Sequence, residues 1–239
     1  MRYRTALFAA LLIVACSLSA RNALSAIVVI PSTGVAADGV TLAPQGEADP
    51  HWQISFADGP FSSAIIPQNA GMPPDWAADG PKSQWIGPVA AYNVIGLAPG
   101  LYLYKTSFVL PDNFVPGSAR LTGQYGSFNE LVEVFVNTIN SLQGPLPPGG
   151  AFTQLQPLDN LVNLGALMPG GNTIQFLVNA RSVAGPGENP FTIATGFRAQ
   201  NLALTYNVVP EPSSSLFVLA LAAGGIAITS WRRRHSKQT

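Results

Sequence analysis

Glycine and proline interrupt this chain so often that no long helix fits between them. The 239 residues include 23 glycines and 21 prolines, and both residue types destabilise helix interiors while favouring turns. Short apolar or alternating runs lie between the turn residues. The strand candidates are 51–56, 101–110, 119–123, 131–137, 173–179 and 199–206. This punctuation predicts an all-β fold.

Two of these runs alternate clearly between apolar and polar positions. The residues that would share one strand face are Ile174, Phe176 and Val178 in one run and Leu202, Leu204 and Tyr206 in the other. Because successive side chains of a strand point to opposite faces, this pattern is typical of strands with one face in a core. The spacing of the runs predicts an antiparallel β-sandwich. Only a short helical turn is expected, at 161–167.

The N-terminus has the layout of a secretory signal peptide. Arg2 and Arg4 precede an uncharged apolar run at 7–15, and small residues follow. A basic segment, a short apolar segment and small residues before a cleavage point define such signals. We therefore predict a signal peptide at 1–25, cleaved after Ser25. An alternative stays open, because 13–16 resembles a lipobox that would make Cys16 a lipidated N-terminus.

The C-terminus contains an uncharged apolar run followed by cations. Residues 213–231 carry no charged side chain, and Arg232, Arg233 and Arg234 follow directly. As a helix this run would be about 28 Å long, which is enough to cross a bilayer core. Arginines behind an apolar run stop transfer and hold the tail on the cytoplasmic side. The pattern predicts a C-terminal transmembrane helix.

The motif Pro210-Glu211-Pro212 stands directly before this apolar run. Pro-Glu-Pro, one apolar span and an arginine cluster, in this order, resemble the PEP-CTERM sorting domain. The resemblance implies a Gram-negative exported protein whose membrane-anchored precursor is recognised by exosortase, a membrane transpeptidase, and sorted to the cell surface or matrix. The chain then divides into a signal peptide (1–25), an ectodomain (26–208) and a sorting signal (209–239). A plain single-pass anchor is the alternative.

The order of segments between 48 and 206 resembles the galactose-binding-like jelly roll. The pieces that carry this resemblance are 49–52, 85–88, 99–102, 108–111 and 169–176. It implies a jelly-roll version of the predicted sandwich. The chain departs from the usual pattern at 127–130 and 137–138, so no ligand or ion site is carried over from those positions.

Charge and cysteine content restrict the function of the ectodomain. Residues 27–209 contain five Lys and Arg against eleven Asp and Glu, a net charge of −6. An acidic surface with scattered bases does not suit a phosphate backbone, so nucleic-acid binding is disfavoured. The single cysteine, Cys16, lies in the leader, which leaves the ectodomain without a disulfide or a thiol nucleophile.

Residues suited to catalysis are sparse. His51 is the one histidine between the two signals, and its position beside Trp52 favours local packing or hydrogen bonding. Glu130 and Glu133 are the closest pair of glutamates, but an odd separation of three places them on opposite faces of a strand unless a bulge intervenes. We predict no catalytic residue and no cofactor. A polysaccharide-active enzyme with a carboxylate pair is the alternative.

Metal binding is not expected either. Asp38, Glu47 and Asp49 could contribute oxygen ligands to a calcium ion, but their spacing follows no known calcium-loop order. We therefore predict no metal site.

Aromatic residues give the one hint of a ligand. Trp76 follows two prolines in a predicted exposed loop, and together with Tyr92 it is a possible platform on which a sugar ring could stack. Trp52 and Trp85 are predicted to fill the core, and a core position is an equal alternative for Trp76. The sequence thus favours a non-catalytic structural or polysaccharide-associated sandwich. A protein–protein adhesion or biofilm module is a further alternative.

Overall fold

The computed structural model describes residues 24–68, 72, 75–91, 97–143, 146, 152–180 and 195–210. All regular structure in these residues is strand. The strands are β1 (Leu24–Val29), β2 (Ala48–Phe56), β3 (Ser62–Ile65), β4 (Gly100–Leu110), β5 (Arg120–Ser127), β6 (Glu130–Val136), β7 (Ile139–Asn140), β8 (Gln156–Pro157), β9 (Gly170–Ala180) and β10 (Phe197–Val208). The predicted all-β class is confirmed, and Ser25–Val208 form one compact unit.

The strands form two sheets. One has four strands in the order β1-β10-β5-β8, and the other has six in the order β3-β2-β4-β9-β6-β7. The centre of the six-stranded sheet is the antiparallel pair β4 and β9, which stay in register from Gly100 opposite Ala180 to Leu110 opposite Gly170. Because this pairing has no register shift, side chains on β4 and β9 lie directly opposite each other along the whole length of the pair.

Aromatic side chains join the two sheets into a sandwich. Phe197 of β10 lies in the four-stranded sheet, and its ring centroid is 5.5 Å from that of Trp52 and 4.7 Å from that of Phe176. Trp52 and Phe176 belong to the six-stranded sheet, so the inner faces of the two sheets pack directly on each other. The predicted β-sandwich is therefore present.

The alternation in the sequence identifies the inner faces correctly. Every apolar residue assigned to a core face in β9 and β10 is at most 5% exposed. Trp52 and Trp85 are both fully buried, as predicted. Burial of such large side chains removes much apolar surface from water and supplies the main driving force for folding.

The short helical turn predicted at 161–167 is wrong. The backbone there forms two separate turns, in which Leu161 N donates to Leu158 O (3.0 Å) and Leu167 N donates to Leu164 O (3.1 Å). Asn160 has a positive φ of 61°, which an α-helix does not accommodate. Asn163 Oδ1 also accepts a hydrogen bond from Gly165 N (2.9 Å), and such side-chain bonds favour turns over helices.

A connecting segment ties the two sheets together at one end. Ile86 forms an antiparallel bridge with Phe197 of the four-stranded sheet, and Gly87 forms one with Ile65 of the six-stranded sheet. The paired hydrogen bonds between Ile86 and Phe197 are both 2.9 Å long. The segment before this bridge is thereby held close to the start of β10.

The two predicted export signals fall largely outside the described residues. Residues 1–23 and 211–239, with the apolar runs at 7–15 and 213–231, are not described. Searching the described part of the chain finds no helix with the length and apolar character needed to cross a membrane.

Candidate ligand-binding face and sorting motif

Trp76, the predicted stacking platform, is buried. Only 4% of the residue is exposed, and its ring stacks on Phe128 with centroids 4.6 Å apart. Its other neighbour is Trp85, also at 4.6 Å, while Phe152 packs against Phe128. The prediction of an exposed Trp76 is therefore wrong, because neighbouring aromatic rings bury it. We name this group the Trp76 cluster; it consists of Trp76, Trp85, Phe128 and Phe152. Tyr92 lies outside the described residues.

Backbone and polar contacts fix the Trp76 cluster in place. Trp85 Nε1 donates to Ala77 O (2.8 Å), and Trp85 N donates to Asp79 Oδ1 (2.9 Å). Gly196 passes directly beneath the two tryptophans, and a Cβ there would lie 2.8 Å from the Trp76 ring. The rings and the start of β10 thus leave no room for a sugar between them.

Arg198 holds the same segment against the four-stranded sheet. It is 3% exposed, and its Nε donates to Ser83 Oγ at 2.8 Å. Its Nη1 donates to Ala78 O, and its Nη2 donates to Gln200 Oε1 at 3.3 Å. Because Arg198 and Phe197 are neighbours on a strand, Arg198 points away from the core. Residues 75–87, the covering segment, therefore cover the outer side of β10 at its start, around Arg198 and Gln200.

Asp49 acts as a structural anchor. Its Oδ2 accepts a hydrogen bond from Gly34 N (2.6 Å), and its Oδ1 accepts from His51 N (2.8 Å) and Trp52 N (3.0 Å). Burial raises the pKa of Asp49 above its ordinary value of 3.8, and these hydrogen bonds oppose the shift. The carboxylate is fully engaged by backbone donors.

Asp38, another possible calcium ligand, is also occupied by local hydrogen bonds. Asp38 accepts hydrogen bonds from Val40 N and Thr41 N, both at 2.9 Å, within its own exposed turn. The bond from Val40, followed by those from Thr41, lowers the pKa of Asp38. In the described ranges no three His, Cys, Asp or Glu residues come together as a metal site.

His51 makes the local contact predicted from the sequence. A hydrogen bond of 2.8 Å joins its Nε2 to Ala36 O. The bond ties β2 to the preceding loop and uses one of the two ring nitrogens.

A β-bulge places Glu130 and Glu133 on one face, which is the exception that the prediction of opposite faces allowed. Glu130 lies opposite Asn179 and Glu133 lies opposite Leu177, with a register shift between Leu131 and Glu133. Because the bulge adds one residue to β6, both carboxylates share the outer face of the six-stranded sheet. The sequence showed the separation of three residues but not the bulge.

A row of side chains crosses the same outer face from strand to strand. The register places Gln53 beside Lys105, Lys105 beside Gln175, Gln175 beside Phe135, and Phe135 beside Asn140. We name these five residues the amide row. It crosses β2, β4, β9, β6 and β7, and the inner-facing residues on either side of Gln175, Ile174 and Phe176, are fully buried. Sequence reasoning missed this row, since it depends on cross-strand register.

Gln175 stands at the centre of the amide row with an unusual environment. Only 7% of the residue is exposed, although it lies on the outer face. The long side chain of Lys105 and the ring of Phe135 flank it on the neighbouring strands. Its amide forms no hydrogen bond with any of the residues that the structure describes. The amide atoms are not among the fully enclosed polar atoms of the described residues, so the group can be reached from the outer face and is suited to meet a ligand.

A polar depression adjoins one end of the row. It has a volume of about 300 Å³, and its lining includes His51, Gln53, Ser63, Lys105 and Ser107. The Lys105 ammonium lies 3.6 Å from the centroid of the Phe61 ring, which orients it by a cation–π contact. The outer face therefore combines concavity, amides, a hydroxyl-rich rim and an oriented cation.

The sorting region begins where the sandwich ends. β10 ends at Val208, and Pro210 is the last described residue. Glu211, Pro212 and the cluster Arg232, Arg233 and Arg234 lie outside the described residues. The described part of the protein is thus an all-β sandwich with a proline-containing exit.

Residues 208–234 match the PEP-CTERM protein-sorting motif, which spans Pro-Glu-Pro, the apolar run and the arginines. The predicted sorting signal is confirmed. The protein is a membrane-anchored precursor that is exported and then sorted to the cell surface, with processing by an exosortase-type membrane enzyme.

Other comparisons add little. No curated protein matches the chain. Among solved structures, it is similar to the FMN-binding beta-glucuronidase from Facaelibacterium prausnitzii L2-6, with a TM-score of 0.32 and 10% sequence identity. This similarity covers 74% of the present chain and 23% of the glucuronidase chain.

Proposed function

We propose that this protein is a non-catalytic surface protein whose β-sandwich associates with extracellular polysaccharide. The observation that carries the proposal is the outer face of the six-stranded sheet, where amides, an ammonium group and an aromatic ring stand in one row. Amides exchange hydrogen bonds with hydroxyl groups, and aromatic rings pack on the apolar faces of sugars. Export places this face where polysaccharides are found.

The absence of catalysis is part of the proposal. His51 is bonded to Ala36, and Asp49 accepts three backbone hydrogen bonds. Both groups therefore serve the fold in this structure. A general acid or base must instead be held near a substrate with its proton-accepting atom available.

One observation favours a second candidate, a polysaccharide-active enzyme. The bulge in β6 brings Glu130 and Glu133 to one face, and hydrolysis of a glycosidic bond needs two carboxyl groups that flank it. The two glutamates stand side by side along one strand rather than on opposite walls of a cleft. This arrangement suits contact with a bound chain better than cleavage of it.

Native affinity electrophoresis of the full-length protein separates these candidates. The protein is purified in a detergent without a sugar headgroup and run through gels containing galactomannan, laminarin or alginate. Retarded migration without release of reducing ends or unsaturated products is the expected result. Product release that disappears in Glu133→Gln would establish the enzyme instead. Normal migration in every gel would overturn polysaccharide association and favour a protein–protein adhesion module.

A further inference from the structure

The amide row has the geometry of a binding track that runs across the strands. Its five residues lie on five consecutive strands of the sheet. Neighbouring strands are spaced ~4.8 Å apart, so the row extends over ~19 Å. That length fits a short stretch of a sugar chain laid at right angles to the strands.

Gln175 is the residue that points most directly to a ligand. Its amide offers two N–H donors and one carbonyl acceptor, and none of these is used by the described residues. The residue as a whole is 7% exposed, but its amide atoms are not among the fully enclosed polar atoms of the described residues, so a ligand on the outer face can reach them. Sugar hydroxyl groups both donate and accept, so one sugar ring can satisfy both ends of the amide. Gln53 and Asn140 carry amides at the two exposed ends of the row, and Asn140 Oδ1 also accepts a hydrogen bond from Leu142 N (3.2 Å).

Phe135 supplies the apolar surface that a sugar ring needs. It lies directly beside Gln175, it is half-buried, and its neighbours Val134 and Val136 face the core. The ring stacks on no other described aromatic residue. A sugar bonded to the Gln175 amide therefore meets an available ring at the next strand.

The charges on this face select against an anionic chain. Lys105 is the single cation of the row, and its ammonium already contacts the Phe61 ring. Glu130 and Glu133 lie on the same face, and residues 27–209 carry a net charge of −6. A polyanion would be repelled as it approached such a surface.

We infer that the amide row is a binding site for an uncharged polysaccharide chain lying across β2, β4, β9, β6 and β7. Gln175 holds one sugar by hydrogen bonds at the centre, Phe135 stacks on the adjacent ring, and Gln53 and Asn140 contact the flanking sugars. This assignment rests on the proposed function and gives it a location and a ligand class.

Gln175→Leu tests the inference, because it keeps the size of the buried side chain and removes the amide. Binding to galactomannan and laminarin is measured by affinity electrophoresis of the full-length protein in sugar-free detergent. We expect the dissociation constant to rise about tenfold or more, as for loss of a buried hydrogen-bonding group. Phe135→Ala should weaken binding by roughly three- to tenfold through lost stacking. Thermal unfolding of each variant verifies the fold.

Gln143→Leu is the matched control. Gln143 is an exposed glutamine in a separate polar cavity of about 280 Å³ that also includes Arg120 and Asn163. Unchanged binding in this variant, with loss in Gln175→Leu, supports the amide row. Loss in Gln143→Leu with normal binding in Gln175→Leu would overturn the site but leave polysaccharide association standing. Binding of alginate alone would overturn the uncharged ligand class, and binding of no polysaccharide would overturn both proposals.

Discussion

The outer sides of the two sheets differ in what covers them. On the four-stranded sheet, the covering segment lies over β10, with Arg198 buried beneath it and the Trp76 cluster packed at its side. On the six-stranded sheet, the amide row faces outward and a polar depression opens beside it. Among the described residues, the outer side of the four-stranded sheet is thus partly covered (the closed side), whereas outward side chains of the six-stranded sheet such as Gln53, Ser107 and Asn140 are exposed (the open face).

The contrast shows that aromatic residues mark structure in this protein more than they mark binding. Trp76 and Trp85 bury each other and close one side of the sandwich. The outer face of the six-stranded sheet carries half-buried rings among polar residues, Phe61 beside Lys105 and Phe135 beside Gln175. Substitutions in the closed region should therefore affect stability, whereas those on the open face should affect binding.

The largest expected effect is that of Trp76→Ala. Removing a ring that is 4% exposed should lower the free energy of unfolding by about 3–5 kcal/mol, because a large cavity remains. Phe135→Ala should cost about 1 kcal/mol or less, since its ring is partly in water already. Urea denaturation of both variants measures the difference. Equal losses would show that the two faces are not distinct in packing.

A methyl group added at Gly196 should have the next largest effect. The new Cβ would lie 2.8 Å from the Trp76 ring, and such overpacking costs about 2 kcal/mol. Gly171→Ala is the control on the open side, because no atom lies within 4 Å of its Cβ position. Thermal melts should show a lowered midpoint for Gly196→Ala alone. An unchanged midpoint for Gly196→Ala would mean that the closed side is loosely packed.

A smaller, pH-dependent effect is expected for Asp49, which lies at the margin of the open face. Burial raises the pKa of its carboxyl in the folded state above the ordinary 3.8. Below pH 3.8 the group is neutral in both states, and as pH rises through the folded pKa its ionisation disfavours the fold. We therefore compare the free energy of unfolding of the wild type with that of Asp49→Asn. The wild-type value minus the variant value should decrease as the pH is raised from about 3.5 to about 7. Urea titrations at both values check this, and a rising difference would contradict it.

The smallest effect on stability is expected for Glu133→Gln. Its side chain is partly exposed on the open face, so the free energy of unfolding should change by no more than about 0.5 kcal/mol. Glu130→Gln serves as the companion variant on the same strand. Chemical denaturation measures both, and a loss well above this value would show that the open face contributes to the fold.

Side-chain periodicity made the sheets predictable, since each core position depends on its own strand. Ile174, Phe176 and Val178 alternate with outward residues in the sequence. In the structure these three residues are buried in the core. The bulge in β6 was not predictable in this way. The bulge depends on how β6 pairs with β9. A single added residue moves Glu133 to the same face of the sheet as Glu130.

The candidate site was hidden from the sequence for the same reason. Gln175 and Phe135 are far apart along the chain and meet only through strand pairing. The one local signal was the outward position of Gln175 between Ile174 and Phe176. Trp76 misled in the opposite direction, because two prolines suggested an exposed loop while the burying partners, Phe128 and Phe152, come from distant segments.

The position of β10 has a mechanical consequence. This twelve-residue strand lies between β1 and β5. It ends at Val208, and only Val209 separates it from Pro210. Tension applied from the tail while the protein is tethered would pull β10 along its own axis. The hydrogen bonds to both neighbours stand across that axis and would be loaded together in shear. The last strand is thus placed to resist being peeled away from the sheet under pulling force.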